Sequence, residues 1–348
     1  MRRAATLAVL LVCFAIWAAP AARAAGLYDD ALFRFKAGDV AGALAAMDKV
    51  IAAHPKDGGA HYYRGVFLEA KPDVPGAAGA YTRAIELDPK LAEAPINLCA
   101  LELGRGKLAE ARARCDAAVK VGPKVPEAWA NLALVADAEG KADEAERAFL
   151  EVTKLRPRSP DAWMNVGALR LRRKDMAGAE QAFVQATRLA PKDALAFYNL
   201  GNARAAAGNL DGAATALRAA CALDPKDPRI PARLGSVERR RGNPDAAIVA
   251  LGRAASLAKD QPAIAIELAM AFAARWKDGD AARALALLEA AEKAEPKAWE
   301  PAFTAGQVLV RDGKCKEAKA AFARSEKKGA PAPRVEAMKS AAASCAAP

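Results

Sequence analysis

The chain has few residues that could carry out chemistry together, which argues against an enzyme. Catalysis needs a convergent set of acid, base, nucleophile or metal, but the 348 residues include only two histidines, His54 and His61. We expect His61 to pack and His54, which precedes a proline, to be solvated. No Cys-x-x-Cys pair occurs, and Gly104-Arg105-Gly106 is typical of a turn rather than of a phosphate-binding loop. We therefore predict no catalytic residues, no cofactor and no metal; an enzyme with an unrecognised site is the remaining alternative.

One set of polar residues has a spacing that suits binding. Asparagines recur every 34 residues at Asn97, Asn131, Asn165 and Asn199. An amide offers both a donor and an acceptor, the pair that an extended peptide backbone needs. If the units that carry them stack, the amides form a ladder, which predicts a peptide-binding surface. The sequence leaves open that each amide only bonds neighbouring backbone.

The same 34-residue period runs through most of the chain. It is seen first in a series of prolines: Pro55, Pro89, Pro123, Pro157, Pro191 and Pro225. Twelve residues before each repeat mark stands an alanine: Ala43, Ala77, Ala111, Ala145, Ala179, Ala213, Ala247, Ala284 and Ala318. Apolar residues within each unit follow the i, i+3, i+4, i+7 spacing of a helix face. Because glycine ends one helix and proline stops the next, each unit is predicted to be a helical hairpin. A small residue on the first helix should meet the alanine on the second.

This pattern resembles the tetratricopeptide repeat. Trp129, Leu132, Ala145, Phe149 and Pro157 stand at the consensus positions of that family. The resemblance covers about residues 25–331, with a three-residue insertion near 277–279, and residues 332–348 fit a capping helix and tail. It implies an all-α, right-handed α-solenoid of about nine helical hairpins. It also implies that the first helices line a concave groove that binds a protein or peptide.

Two groups of residues fall on the expected groove positions. The first group would make the groove basic: Arg172, Arg229, Arg233, Arg239 and Arg240. The second would form an apolar end: Tyr28, Leu32, Phe35, Tyr62 and Val66. A basic groove favours an acidic partner, which could be a protein segment, an anionic polysaccharide or a lipid headgroup, although a solvated face without a ligand is also compatible. The apolar group could equally be a weakly covered N-terminal edge. Nucleic acid is not expected, because no aromatic residues are interleaved with the arginines.

The N-terminal 24 residues have the organisation of a signal peptide. Arg2 and Arg3 precede an apolar run over 7–17, and Ala22-Arg23-Ala24 matches a cleavage site. This predicts a periplasmic or extracellular protein with no transmembrane anchor after cleavage; an uncleaved anchor is the alternative.

The whole chain is 53% hydrophobic and 6% aromatic with a net charge of +11, which excludes a disordered protein.

Export would permit disulfides between the cysteines of the mature chain. Four residues after the repeat alanine, the other repeats have a large apolar side chain, and we call this the large position. Cys115 occupies the large position of one hairpin and Cys99 occupies its small position, so we predict that they pair, unless Cys99 only fills a tight contact. Cys315 and Cys345 would join the last repeat to its cap, and Cys221 is expected to be buried.

Together these features favour an exported, non-catalytic adaptor in cell-envelope assembly. The alternative is a polysaccharide-export or secretion subunit that binds an anionic polymer directly.

Overall fold

The computed structural model of the protein describes residues 28–343, and this part of the chain is all-α. Its 19 helices form nine successive pairs and one final helix. This confirms the predicted fold class, including the capping helix. The predicted signal peptide, residues 1–24, lies outside the described residues, as does Cys345. Within residues 28–343, no helix combines the length and the hydrophobicity that crossing a bilayer requires.

The helices are α1 Asp29–Lys36, α2 Val40–Ala53, α3 Gly58–Ala70, α4 Val74–Leu87, α5 Glu93–Gly104, α6 Leu108–Val121, α7 Pro126–Ala138, α8 Ala142–Leu155, α9 Pro160–Arg172, α10 Met176–Leu189, α11 Ala194–Ala206, α12 Leu210–Leu223, α13 Arg229–Arg240, α14 Pro244–Leu257, α15 Pro262–Arg275, α16 Asp280–Ala294, α17 Glu300–Arg311, α18 Cys315–Lys327 and α19 Ala332–Ala343.

The chain forms two compact units, which divide after Leu169. The first contains α1 to α8 and most of α9, and the second contains α10 to α19. Inside each unit, the two helices of a repeat pack on each other, and the second helix also packs on the first helix of the next repeat. In the second unit, α19 packs against α17 and α18, so it covers the end of the last hairpin as predicted.

The helix boundaries have local causes. Asp175 precedes α10, and its side chain accepts a hydrogen bond of 2.9 Å from the backbone N–H of Gly178, which satisfies one free donor of the first turn. The turn between α11 and α12 places Gly208 at φ +83°, a conformation that glycine adopts without strain. Lys174 occupies the equivalent turn before α10 and also has a positive φ, +64°. A lysine there is under local strain.

Close contact between the paired helices explains the small residues of the repeat. At Gly201 in α11, an added Cβ atom would lie 2.6 Å from Leu217 Cγ and 3.3 Å from the carbonyl oxygen of Ala213, both on α12. Gly65 in α3 faces Tyr81 of α4 in the same way, with 2.6 Å to the ring. The small position of the first helix therefore meets both the alanine and the large residue of the second.

The insertion near 277–279 lies in the turn between α15 and α16 and is held by a buried carboxylate. Asp280 is fully buried and accepts hydrogen bonds from the Arg275 guanidinium at 2.7 and 2.8 Å. It also accepts one from the backbone N–H of Lys277 at 2.8 Å. The hydrogen bonds from Arg275 and Lys277 stabilise the charged carboxylate, and the positive charge of Arg283 adds to this effect. Together they lower the pKa of Asp280 to about 2.

Candidate binding surface on the first helices

The first helices of neighbouring repeats lie side by side and are joined by side chains at the expected groove positions. In the second unit, Arg233 Nε on α13 donates to Asn202 Oδ1 on α11 at 2.7 Å. Arg239 on the same helix donates to Glu267 Oε2 on α15 at 3.2 Å. We call the surface formed by α11, α13 and α15 the first-helix face.

Two arginines on this face bond to neutral acceptors. Arg233 contacts the Asn202 amide, and both terminal nitrogens of Arg240 donate to the carbonyl oxygen of Ala205 at 3.3 Å. Among residues 28–343, neither guanidinium has a carboxylate within ion-pair distance. The two residues are seven positions apart on α13, about 10.5 Å along the helix axis, and so they share a side. Their charges can bind carboxylates of a ligand, since neutral acceptors leave the charge unbalanced.

Two of the other predicted basic residues are paired with acids of the protein itself. Arg229 donates to Asp227 at 2.9 Å and keeps the pKa of that carboxyl below its usual range. Arg239 is paired with Glu267. The expectation that both offer charge to a ligand is therefore corrected, because acids of the neighbouring loop and of the next repeat already balance them. Arg172 is exposed at the end of α9.

Positive charge is concentrated in the second unit. From Arg170 to the C-terminus the chain has 30 Lys and Arg but 20 Asp and Glu, a net charge of +10. Residues 28–169 contain 19 Lys and Arg and 21 Asp and Glu, a net charge of −2. Acidic ligands are therefore attracted to the second unit over a range set by the Debye length.

The asparagine series is partly used inside the protein. Asn97 Nδ2 donates to the Tyr81 hydroxyl at 3.2 Å, and Asn131 Nδ2 donates to a backbone carbonyl oxygen of α5 at 3.1 Å. Both side chains are buried, whereas Asn165 and Asn199 are half-buried. For the first two, bonding to neighbouring groups is thus observed. Peptide contact by this series stays a prediction.

A buried polar cluster in the first unit was not found from the sequence. The Tyr81 hydroxyl donates to the Glu69 carboxylate while it accepts from Asn97. Burial raises the pKa of Glu69, and the hydrogen bond from Tyr81 only partly offsets this. The one available signal was a tyrosine hydroxyl at Tyr81, a position where most other repeats have an apolar side chain. Because its members satisfy each other, the cluster stabilises the fold and does not form an open site.

The predicted apolar end belongs mostly to the core. Tyr28 and Tyr62 are 8% and 3% exposed, and the Tyr28 hydroxyl donates to Asp57 Oδ2 at 2.7 Å. The other predicted members are half-buried and pack against the same cluster: Leu32, Phe35 and Val66. The prediction of an exposed docking end is therefore wrong for Tyr28 and Tyr62, because Tyr63 of α3 packs against both rings and Tyr81 of α4 also packs against Tyr62.

The cysteines differ in their surroundings. The sulfur atoms of Cys99 and Cys115 lie within bonding distance, with Cα atoms 5.3 Å apart, which suits a disulfide. Cys221 is buried and free. The predicted partner of Cys315, Cys345, lies outside the described residues.

In the described part of the chain, no three His, Cys, Asp or Glu side chains are grouped to hold a metal ion.

A sequence profile of the tetratricopeptide repeat matches residues 28–92, 101–151, 131–194 and 177–228, which together cover more than half of the chain. In a separate comparison, no curated protein matches this chain significantly.

Solved structures resemble the chain in fold. The Cut9–Hcn1 hetero-tetramer of the APC/C has a TM-score of 0.51 at 18% identity, covering 86% of this chain and 58% of that chain. PilF of Pseudomonas aeruginosa has a TM-score of 0.50 at 18% identity, with coverages of 60% and 94%. YrrB, described as a tetratricopeptide repeat protein with an unusual peptide-binding site, has a TM-score of 0.48 at 22% identity, with coverages of 54% and 96%. At these identities the likeness concerns the fold alone.

Proposed function

We propose, since this chain belongs to the tetratricopeptide repeat family, that it acts as a non-catalytic scaffold for an acidic peptide or protein segment. Proteins of this family are generally protein–protein interaction scaffolds. The binding surface proposed here is the first-helix face of the second unit. The observation that carries this proposal is the pair Arg233 and Arg240, whose guanidinium groups bond to neutral acceptors within a unit of net charge +10.

The spacing of the two arginines indicates the form of the ligand. A guanidinium binds a carboxylate through two parallel hydrogen bonds. In a polyproline II segment, residues three apart lie on the same side and about 9.3 Å apart. This is close to the rise of about 10.5 Å between Arg233 and Arg240 along α13. We therefore expect an extended segment with acidic residues at i and i+3, lying along α13.

The proposal includes export and a role in the assembly of the cell envelope. Support comes from Arg2 and Arg3, the apolar run over 7–17 and Ala22-Arg23-Ala24. The Cys99–Cys115 pair agrees with an oxidising compartment. Mass spectrometry of the protein recovered from the periplasm or medium should find a chain that begins at Ala25. Recovery of only the full-length chain from the cytoplasm would contradict export.

Site-specific photo-crosslinking tests the binding surface and the nature of the ligand. A photoreactive residue is placed at Ser236, between Arg233 and Arg240 on α13, and the matched control is at exposed Lys259 after α14. The proposal expects a discrete protein adduct at Ser236 in cells, lost with Arg233→Gln and Arg240→Gln, and none at Lys259. An adduct with polysaccharide would favour the polymer-binding alternative. Equal adducts at both positions would refute a specific surface.

A further inference from the structure

The second unit has an open cavity away from the first-helix face. It has a volume of about 440 Å³ and lies between the second helices α12 and α14, with α13 as its floor. Apolar side chains dominate its lining, and two arginines stand with them: Arg218, Cys221, Pro231, Leu234, Val249 and Arg253. We call it the second-helix pocket.

The repeat changes at one residue that lines this space, Pro231. Pro231 stands 34, 68 and 102 residues after Phe197, Trp163 and Trp129, so it occupies the position at which three successive repeats have an aromatic ring. Phe197 packs against the hydrophobic core of the second unit. A proline ring is much smaller than an indole or phenyl side chain. Pro231 lines the second-helix pocket, so the wall of this pocket lacks the aromatic side chain that those three repeats have at this position.

The pocket exposes apolar surface. Val249 at its edge is 75% exposed, while Cys221 is 7% exposed. Burial raises the pKa of the Cys221 thiol, and the charge of Arg253 opposes this shift. A volume of 440 Å³ is in the lower range of ligand pockets, enough for one aromatic side chain. Val249 adds apolar surface at the edge of this pocket.

The charge around the pocket is positive. Arg253 donates to the carbonyl oxygen of Pro225 at 2.9 Å and, within the described residues, has no carboxylate in ion-pair distance. Arg218 pairs with the buried Glu238, whose other oxygen accepts from Arg241 at 2.7 Å. The carboxylate that lines the pocket is thus shared by two arginines. A ligand with negative charge beside its apolar group complements this surface.

We propose that the second-helix pocket binds an aromatic side chain of a partner protein segment in which carboxylates flank that side chain. The partner ring takes the place of the aromatic residue missing at Pro231, and its flanking acids face Arg253 and Arg218. This site is separate from the first-helix face and does not depend on the function proposed for it.

The free thiol of Cys221 provides a local test in the full chain. The probe is the peptide acetyl-Asp-Glu-Trp-Glu-Asp-amide, and the readout is the rate of Cys221 alkylation by N-ethylmaleimide, followed by mass spectrometry. Saturating peptide should slow alkylation by about fivefold or more. Peptides with Ala in place of Trp, or with Lys in place of the acids, should leave the rate within about twofold. Equal protection by all three peptides, or by none, would overturn the proposal.

Matched variants test whether the peptide occupies the pocket itself. Pro231→Trp places an indole ring in the lining of the pocket, so alkylation should slow without peptide and peptide affinity should fall by about tenfold. Val249→Glu should cause a similar loss, while Leu257→Glu, at a 40% exposed apolar residue of the same helix outside the pocket, should not. Equal losses for the two glutamate variants would contradict a local site.

Two further outcomes discriminate between occupants and between the two proposals. If alkylation of the wild-type chain slows as its own concentration rises, the occupant is a second copy and the proposed partner is wrong. The variant with Arg233→Gln and Arg240→Gln should bind the tryptophan peptide within about twofold of wild type. A large loss there would place the peptide on the first-helix face instead.

Discussion

Replacing two helix glycines by alanine should have opposite effects on stability, because only one of them faces a packed neighbour. Gly201 in α11 and Gly252 in α14 both lie inside helices, where alanine is favoured by about 1 kcal/mol. At Gly252 an added Cβ meets nothing within 4 Å. Gly252→Ala should therefore raise the free energy of unfolding by about 1 kcal/mol.

At Gly201 the new Cβ would lie 2.6 Å from Leu217 Cγ, a branch atom of a side chain that is 0% exposed. It would also lie 3.3 Å from the Ala213 carbonyl oxygen. Neither group can move away without shifting α12, and overpacking of this kind costs about 1–3 kcal/mol. After the helix preference is subtracted, Gly201→Ala should lower the free energy of unfolding by about 1–2 kcal/mol.

Urea unfolding followed by far-ultraviolet circular dichroism measures both changes. A double-mutant cycle supplies the control: in a Leu217→Ala background, the cost of Gly201→Ala should shrink or reverse, since the clashing branch is gone. Stabilisation by Gly201→Ala in the wild-type background, equal to that at Gly252, would refute the close approach of α11 and α12.

Three further predictions concern the turns and the cysteine pair. Lys174→Gly should raise the free energy of unfolding by about 0.5–1 kcal/mol, because relief of the positive φ exceeds the entropy that glycine adds to the unfolded chain; urea unfolding will show no gain if the turn is unstrained. Asp280 has a folded pKa of about 2 against an ordinary value of 3.8, so it stabilises the fold above pH ~4 and loses this effect as the pH falls through ~2. Asp280→Asn should cost about 2 kcal/mol or more at neutral pH, and its unfolding free energy should vary less than that of wild type over this acid range. Reducing the Cys99–Cys115 disulfide should lower the unfolding free energy by about 3 kcal/mol. In the double variant Cys99→Ala and Cys115→Ala, adding a reductant should not cause this decrease.

The parts of the fold that depend on local pattern could be predicted from the sequence. The helical hairpins follow from apolar spacing and from glycine and proline at fixed positions. The pairing of Gly201 with Leu217, and of Cys99 with Cys115, follows from the same period because every hairpin repeats one geometry. The capping helix was also identifiable, since its residues favour a helix directly after the last repeat.

The candidate site was less predictable, because its charges are balanced by side chains from other repeats. Glu267 lies 28 residues from Arg239, and nothing in either sequence segment indicates that they meet. The burial of Tyr28 and Tyr62 likewise depends on rings from other helices, because Tyr28 packs edge-on against Tyr63 of α3 and Tyr62 packs against Tyr81 of α4. At Pro231 the sequence did contain a signal, the loss of an aromatic residue. Only the structure shows that an open cavity lies beside this proline.

The claim that the first-helix face recognises an acidic segment is tested most directly by fluorescence anisotropy. The probe is a labelled peptide of serines with aspartates three residues apart, which lacks an apolar residue for the second-helix pocket. The double variant Arg233→Gln and Arg240→Gln is compared with Lys226→Gln and Lys259→Gln, which removes the same charge from exposed turns of the same unit. We predict a dissociation constant raised about tenfold or more for the first pair and less than about twofold for the second. Equal weakening by both pairs would show that net charge alone attracts the peptide, and would contradict a binding surface on α13.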